Sequence, residues 1–189
     1  MSAETVVGRE PARRNVELKA RDRDPARSLA RCVALEGAVD HGVLWQRDTY
    51  FVVTRGRLKL REERPGGATL IQYERPDEQS AKLSRYRLIG VDDAAACRAG
   101  LDAALGTRVV VEKERRLFIW RDVRIHLDRV AGLGDFVEFE AVAPDASDLA
   151  AEREKVARLR ELLDVRGEDL VAVGYGDALT GKEGEDRAS

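Results

Sequence analysis

The sequence predicts an α+β fold: an antiparallel β-barrel closed on itself, with helices packed on its outside. Three observations point there. Short strands alternate apolar with charged residues at spacing two, the period of a sheet with two unlike faces. Three amphipathic helical stretches each need an apolar sheet face to cover. Two middle sections repeat one design, a helix followed by a three-strand meander, and two such halves closing on one another leave no exposed strand edge.

In chain order, Asn15–Ala20 is the first strand, with Asn15, Glu17 and Lys19 on one face and Val16, Leu18 and Ala20 on the other. Asp24 followed by Pro25 starts a helix that Gly37 terminates. Gln46–Val53 is rich in β-formers, and Leu58–Glu63 sets Lys59, Arg61 and Glu63 opposite Leu58 and Leu60. Pro65, Gly66 and Gly67 then turn the chain into a strand over Ala68–Arg75. Asp92 and Asp93 cap a second, Ala-rich helix that stops at Gly106. Val109–Trp120 and Val123–Val130 flank a turn at Arg121 and Asp122, and Gly132–Asp135 turns into the strand Phe136–Val142. The last helix runs over Ser147–Leu163. The middle sections align so that Arg57, Lys59 and Arg61 take the places of Arg124, His126 and Asp128, and Gly67 that of Gly134. Residues 1–13 lack periodicity and read as a flexible leader, 14–179 as one domain, and 180–189 as a flexible polar tail.

A chain of 189 residues supports one well-filled domain. With 36% charged and only 5% aromatic residues, its core draws on Leu, Val, Ile and Ala. Lys+Arg (33) and Asp+Glu (35) nearly cancel, so no bulk field draws the chain to nucleic acid or to an anionic membrane. No apolar run approaches the ~20 residues that span a bilayer. Cys32 and Cys97 form no ligand cluster with His41 and His126, and read as buried thiols in a reducing, cytoplasmic setting. Neither a phosphate-cradling lysine loop nor a nucleophile with a base partner is present. Gly132-Leu133-Gly134 lies between strands rather than before a helix, and reads as a turn.

The informative feature is what alternates with the apolar residues. One face carries Glu17 and Lys19, Lys59 and Arg61, Lys113 and Arg115, Arg124 and Asp128, and Glu138 and Glu140. A half-buried antiparallel sheet carries polar residues on its solvent side in any case, so the pattern alone is compatible with a solvated face. Two details favour an interior instead. The face is dominated by Lys, Arg, Asp and Glu rather than Thr, Ser and Gln. If the helices cover the barrel's outside, the charged side must point inward. An inward ring of cations with a few carboxylates is costly unless a charged ligand neutralises it. Polyphosphate with a divalent metal fits, since carboxylates hold a hard cation while Arg and Lys clamp phosphate oxygens.

Several stretches in this order resemble the CYTH superfamily of triphosphate tunnel metalloenzymes, and within it the class IV adenylyl cyclases. They are Asn15-Val16-Glu17-Leu18-Lys19, Gln46–Phe51, Leu58–Glu62, Glu112–Arg115, Arg124–Asp128, Gly132–Glu138 and Tyr175. The resemblance spans about Arg14 to Leu179 and implies an eight-stranded tunnel that holds a substrate triphosphate. By position it implies metal ligation by Glu17, Asp128, Glu138 and, in addition, Glu140. It implies phosphate binding by Lys19, Lys59, Arg61, Arg75, Lys113, Arg115 and Arg124, with Tyr175 closing one mouth. Glu17, Lys113, Arg115, Asp128 and Glu138 form the implied catalytic set, with Mg²⁺ or Mn²⁺ as cofactor. Asn15 departs from the family's opening Glu-x-Glu-x-Lys: its amide oxygen can still coordinate, but it brings no charge.

The resemblance implies a cyclase that converts ATP to cyclic AMP and pyrophosphate. Two alternatives stand beside it: hydrolysis of thiamine triphosphate or inorganic triphosphate, and a non-catalytic binder of nucleotides or polyphosphate that Asn15 keeps open. It also implies a homodimer, which no apolar seam in the sequence independently demands. Neither nucleic acid nor membrane is an expected partner.

Overall fold

The computed structural model describes residues 13–74 and 81–186. Its strands are β1 (Arg13–Arg21), β2 (Ala38–Phe51), β3 (Arg57–Arg64), β4 (Ala68–Glu74), β5 (Lys82–Val91), β6 (Thr107–Trp120), β7 (Val123–Val130) and β8 (Gly134–Ala143). They close into one antiparallel barrel in the order β1-β5-β4-β3-β2-β6-β7-β8. The expected eight-stranded closed barrel is therefore what the chain forms. Its long strands β2 and β6 pair with each other, so one half runs on through β3, β4 and β5 and the other through β7, β8 and β1.

Two strands exceed the sequence expectation. β5 falls where no strand is predicted, because Arg85 and Arg87 are exposed on its outer face and the alternation of apolar with polar residues is lost. β2 starts at Ala38 rather than Gln46. A register shift between Asp40 and Val43 surrounds Gly42, whose φ of +84° suits glycine, and Asp40 accepts from the Gly42 N–H at 2.9 Å.

Helices α1 (Pro25–Ala34), α2 (Ala94–Leu105) and α3 (Ala150–Leu162) pack on the outside. The Asp24 carboxylate accepts from the Arg27 N–H and that of Asp93 from the Ala96 N–H, so both expected N-caps are made. The third helix starts at Ala150 instead of Ser147. There the Ser147 hydroxyl accepts from the Leu149 N–H and donates to Glu152, and Leu149 turns left-handed at φ +71°. A further helix, α4 (Tyr175–Asp186), follows a short 3₁₀ turn and crosses one end of the barrel.

The core between barrel and helices contains Val16, Leu18 and Ala20 of β1, Ile125 of β7 and Phe139 of β8, against Cys32 of α1 and Val156 and Leu159 of α3. Val156 and Leu159 are fully buried, each contributing about 1.5–3 kcal/mol. Because this apolar face is turned outward under the helices, the alternating charged face of the same strands lines the inside. Among the described residues, no helix is long and apolar enough to cross a membrane.

Candidate functional site

Each strand gives its inward residues to one cavity of about 360 Å³. β1 supplies Asn15, Glu17 and Lys19; β2 Gln46 and Tyr50; β3 Lys59 and Arg61; β6 Lys113 and Arg115; β7 Arg124 and His126; β8 Glu138 and Glu140. The wall made by β4 and β5 is more apolar, with Ile71, Tyr73, Tyr86 and Leu88. At one end Tyr50, Val109, Val111, Val130, Phe136 and Tyr175 fill the barrel. Tyr175, the first residue of α4, meets the Phe136 ring edge-on, with centroids 5.0 Å apart, and donates its hydroxyl to Asp128 at 3.0 Å. At the opposite end Arg124 (44% exposed) and Leu88 (37%) reach solvent, so the cavity is a tunnel stopped at one mouth.

The cations are concentrated toward the stopped end. Lys19 lies 3.9 Å from the centre of the Tyr175 ring and Lys113 4.9 Å from it, while the Lys59 ammonium sits 3.5 Å from the Tyr50 hydroxyl. Two buried aspartates stand among them. Asp48 takes a two-point bond from Arg61 at 2.7 and 2.8 Å and another bond from Lys59 at 2.8 Å. Asp128 takes a two-point bond from Arg115 at 2.7 and 2.6 Å. Lys113 lies between them, 3.9 Å from Asp48 and 3.5 Å from Asp128.

Burial alone would raise both carboxyl groups; the charges of Arg61 and Lys59 hold Asp48, and those of Arg115 and Lys113 hold Asp128, well below the usual range. The same burial, with Arg61 nearby, brings Lys59 down to about 8, and with Arg115 nearby it brings Lys113 down to about 7. Burial and Arg115 likewise push His126 well below the ordinary imidazole range. A cluster holding this many partly compensated cations is arranged to receive a multivalent anion.

On the wall where β1 meets β8, Glu17 stands opposite Glu140 and Lys19 opposite Glu138. Glu138 lies 3.6 Å from Lys19 and 3.9 Å from Arg115; these two cations outweigh its burial and hold it well below the usual carboxylate range. The Asn15 amide donates to Glu140, which also takes a bond from Arg124 at 3.1 Å. That leaves the buried Asn15 Oδ1 without a donor among the described residues.

The structure thus brings Glu17, Lys19, Lys59, Arg61, Lys113, Arg115, Arg124, Glu138, Glu140 and Tyr175 to one cavity. Asp128 is set behind Arg115, its side chain fully buried. Arg75 lies outside the described residues. Sequence reasoning missed Asp48, although Gln46, Asp48 and Tyr50 share the spacing-two pattern that exposed Lys59 and Arg61. Both residues flanking Asp48, Arg47 and Thr49, are polar, so no apolar face marks which side points inward.

The CYTH domain profile matches residues 13–175. The chain belongs to the CYTH family. Solved structures share the fold at low identity. The PH1012 protein of Pyrococcus horikoshii OT3 superposes with a TM-score of 0.77 at 21% identity, over 86% of this chain and 98% of that one. A candidate adenylate cyclase from Vibrio parahaemolyticus gives 0.70 at 22% identity, over 88% and 97%. The candidate adenylyl cyclase HpAC1 from Hippeastrum, described as having a dominant triphosphatase activity, gives 0.58 at 14% identity, over 91% and 96%. No curated protein matches the chain.

CYTH tunnel enzymes use divalent metal ions, and the β1–β8 wall fits one. Its donors are hard oxygens: the carboxylates of Glu17, Glu138 and Glu140 and the orphaned Asn15 Oδ1. Among the described residues no three His, Cys, Asp or Glu side chains converge into a ready cage. Asp128 is held from two sides, by Arg115 and by Tyr175.

Proposed function

We propose that this CYTH protein is a metal-dependent adenylyl cyclase that converts ATP to cyclic AMP and pyrophosphate. The observation that carries the reading is the order of charges along the tunnel: cations gather at the stopped end, while Glu17 and Glu140 lie toward the open mouth. A triphosphate entering tail first sets its β- and γ-phosphates among Lys19, Lys59, Arg61, Lys113 and Arg115. Its α-phosphate and ribose are then level with the carboxylate wall. In the reaction the ribose 3′-oxygen bonds to the α-phosphorus, the bond from that phosphorus to the bridging oxygen breaks, and the hydroxyl proton passes to solvent. The deep cations take up the charge developing on pyrophosphate, so they stabilise the leaving group more than the ground state. Tyr175 and Phe136 fill the stopped end and keep bulk water from the terminal phosphate. Glu17, Glu138 and Glu140 would hold Mg²⁺ or Mn²⁺, which supplies polarisation of the α-phosphate and acidification of the attacking hydroxyl.

Hydrolysis of inorganic or thiamine triphosphate is the second reading, favoured by Lys59 and Lys113. Both ammonium groups line the cavity beside the terminal-phosphate position, where in hydrolysis water attacks in place of the ribose hydroxyl and they take up the charge on the departing phosphate. A product assay separates the readings. Purified protein with Mg²⁺ or Mn²⁺ is given ATP, inorganic triphosphate or thiamine triphosphate, with Glu138→Gln as control. Cyclic AMP and pyrophosphate from ATP, lost in the variant, is the expected result. Orthophosphate without cyclic AMP assigns hydrolysis, and binding without product assigns a silent tunnel.

A further inference from the structure

Asp48 is fully buried, yet the cavity is lined by its partners and not by the aspartate itself. Lys59 and Arg61 bond to it directly and Lys113 lies at 3.9 Å, so three of the five deep cations converge on one carboxylate behind the wall. The opposite half of the barrel makes the same device with the charges exchanged. In the internal repeat Arg61 of β3 takes the place of Asp128 of β7, and at the same spacing Asp48 of β2 takes that of Arg115 of β6. Each half therefore holds one fork-on-carboxylate pair across its long strand and the next, in register, Asp48 with Arg61 and Arg115 with Asp128. The bidentate geometry fixes each guanidinium plane as well as its position.

We propose that Asp48 is a positioning residue for the triphosphate: it anchors Lys59, Arg61 and Lys113 from behind the wall so that their free N–H groups converge on the phosphates. This rests on the reading of the tunnel as a triphosphate site. Without the anchor, three like charges packed side by side repel one another and relax toward separate positions. An unliganded site held at low mutual repulsion is already in its binding geometry and loses less freedom when the anion arrives. Asp48 is also held ionised by the same cations, so it performs this role across the neutral range.

The sign of one substitution tests the proposal. Asp48→Asn keeps the shape and removes a negative charge from beside an anion site. Coulomb's law alone makes inorganic triphosphate bind tighter, whereas loss of positioning makes it bind weaker. Titration calorimetry of the full chain with inorganic triphosphate in EDTA, where only the cations hold the ligand, reads the difference. The expected result is at least a tenfold loss of affinity. Equal or tighter binding by folded Asp48→Asn overturns the proposal, and a variant that only melts earlier while binding normally does the same. If the unliganded wild type binds no triphosphate in EDTA or with Mg²⁺, the reading of the tunnel fails, and the inference with it. Should Asp48→Asn not fold, Lys59→Met is compared with Lys59→Met/Asp48→Asn, which removes a cation together with the carboxylate. A further loss of fivefold or more in the double variant is expected, and equal affinities overturn the role.

Discussion

The Tyr175 hydroxyl donates to the Asp128 carboxylate at 3.0 Å, which ties the first turn of α4 to the inner wall of the barrel. The tie is backed by Asp177 two residues on, 3.0 Å from Arg57 and 2.8 Å from Arg108. Gly176 between them lies against Tyr50 and Val109, where an added Cβ would approach both at 3.3 Å. Helix α4 is therefore seated by one buried hydrogen bond, one shared carboxylate and a close backbone approach.

Tyr175→Phe removes only the hydroxyl. Asp128 retains Arg115, so the expected loss of stability is that of one hydrogen bond to a charged group, about 1.5–3 kcal/mol. Chemical denaturation reads the loss, and hydrogen exchange in α4 should rise more than in β7. Uniform exchange changes would show that the hydroxyl does not hold the helix.

Lys59 and Lys113 give the unliganded and bound states opposite pH dependences. Burial has lowered both ammonium groups, to about 8 and about 7. The unfolded chain thus binds more protons than the folded one between about pH 7 and the ordinary lysine range near ~10.4. Unliganded stability rises with pH across the lower part of that window, from pH 7 to about 8.5. Triphosphate affinity falls over the same interval, because the anion needs the protonated amines. Melting temperature and calorimetric affinity measured at pH 6.5, 7.5 and 8.5 should move in opposite directions. Binding near pH 8 should also take up protons, seen as a dependence of the heat on buffer ionisation enthalpy. Parallel trends would rule out these two lysines as the titrating contacts.

How much of this was legible in sequence depends on whether one face of a strand is apolar. In β1, Val16, Leu18 and Ala20 mark the outside, so Asn15, Glu17 and Lys19 are read as inward without any structure. In β3 and β8 the same contrast exposes Lys59, Arg61, Glu138 and Glu140. The contrast fails where both faces are polar or solvated, which hides Asp48 beside Arg47 and Thr49 and hides the whole of β5. It also cannot supply register across distant strands. Glu17 opposite Glu140 and Lys19 opposite Glu138 follow from closing β1 onto β8, more than a hundred residues apart in sequence, and only closure forms the candidate metal wall. The internal repeat placed Arg61 over Asp128, but the exchange of charge between Asp48–Arg61 and Arg115–Asp128 appears only when β2 and β6 are paired with their neighbours.

Glu138→Gln separates metal binding from phosphate binding. The side chain keeps its size beside Lys19 and Arg115 but loses the charge that a divalent cation needs. Metal-dependent turnover should fall by at least about 100-fold, about 2.7 kcal/mol of transition-state stabilisation. Affinity for inorganic triphosphate in EDTA should hold or improve, since an anion next to the phosphate site has been neutralised. Unchanged turnover would remove Glu138 from the metal wall.

Arg61→Ala tests the phosphate contacts directly. Its guanidinium lines the cavity while two of its nitrogens bond Asp48, so truncation removes a ligand contact and one of the anchor's partners together. Lys59 remains on Asp48, which keeps that carboxylate from being stranded without a partner. The expected result is a ten- to hundredfold loss of triphosphate affinity, about 1.4–2.7 kcal/mol, alongside a lower melting temperature. Binding is therefore measured well below the transition, where the folded fraction is complete. Affinity that survives in a protein that simply melts earlier makes Arg61 a strut of the barrel rather than a phosphate ligand.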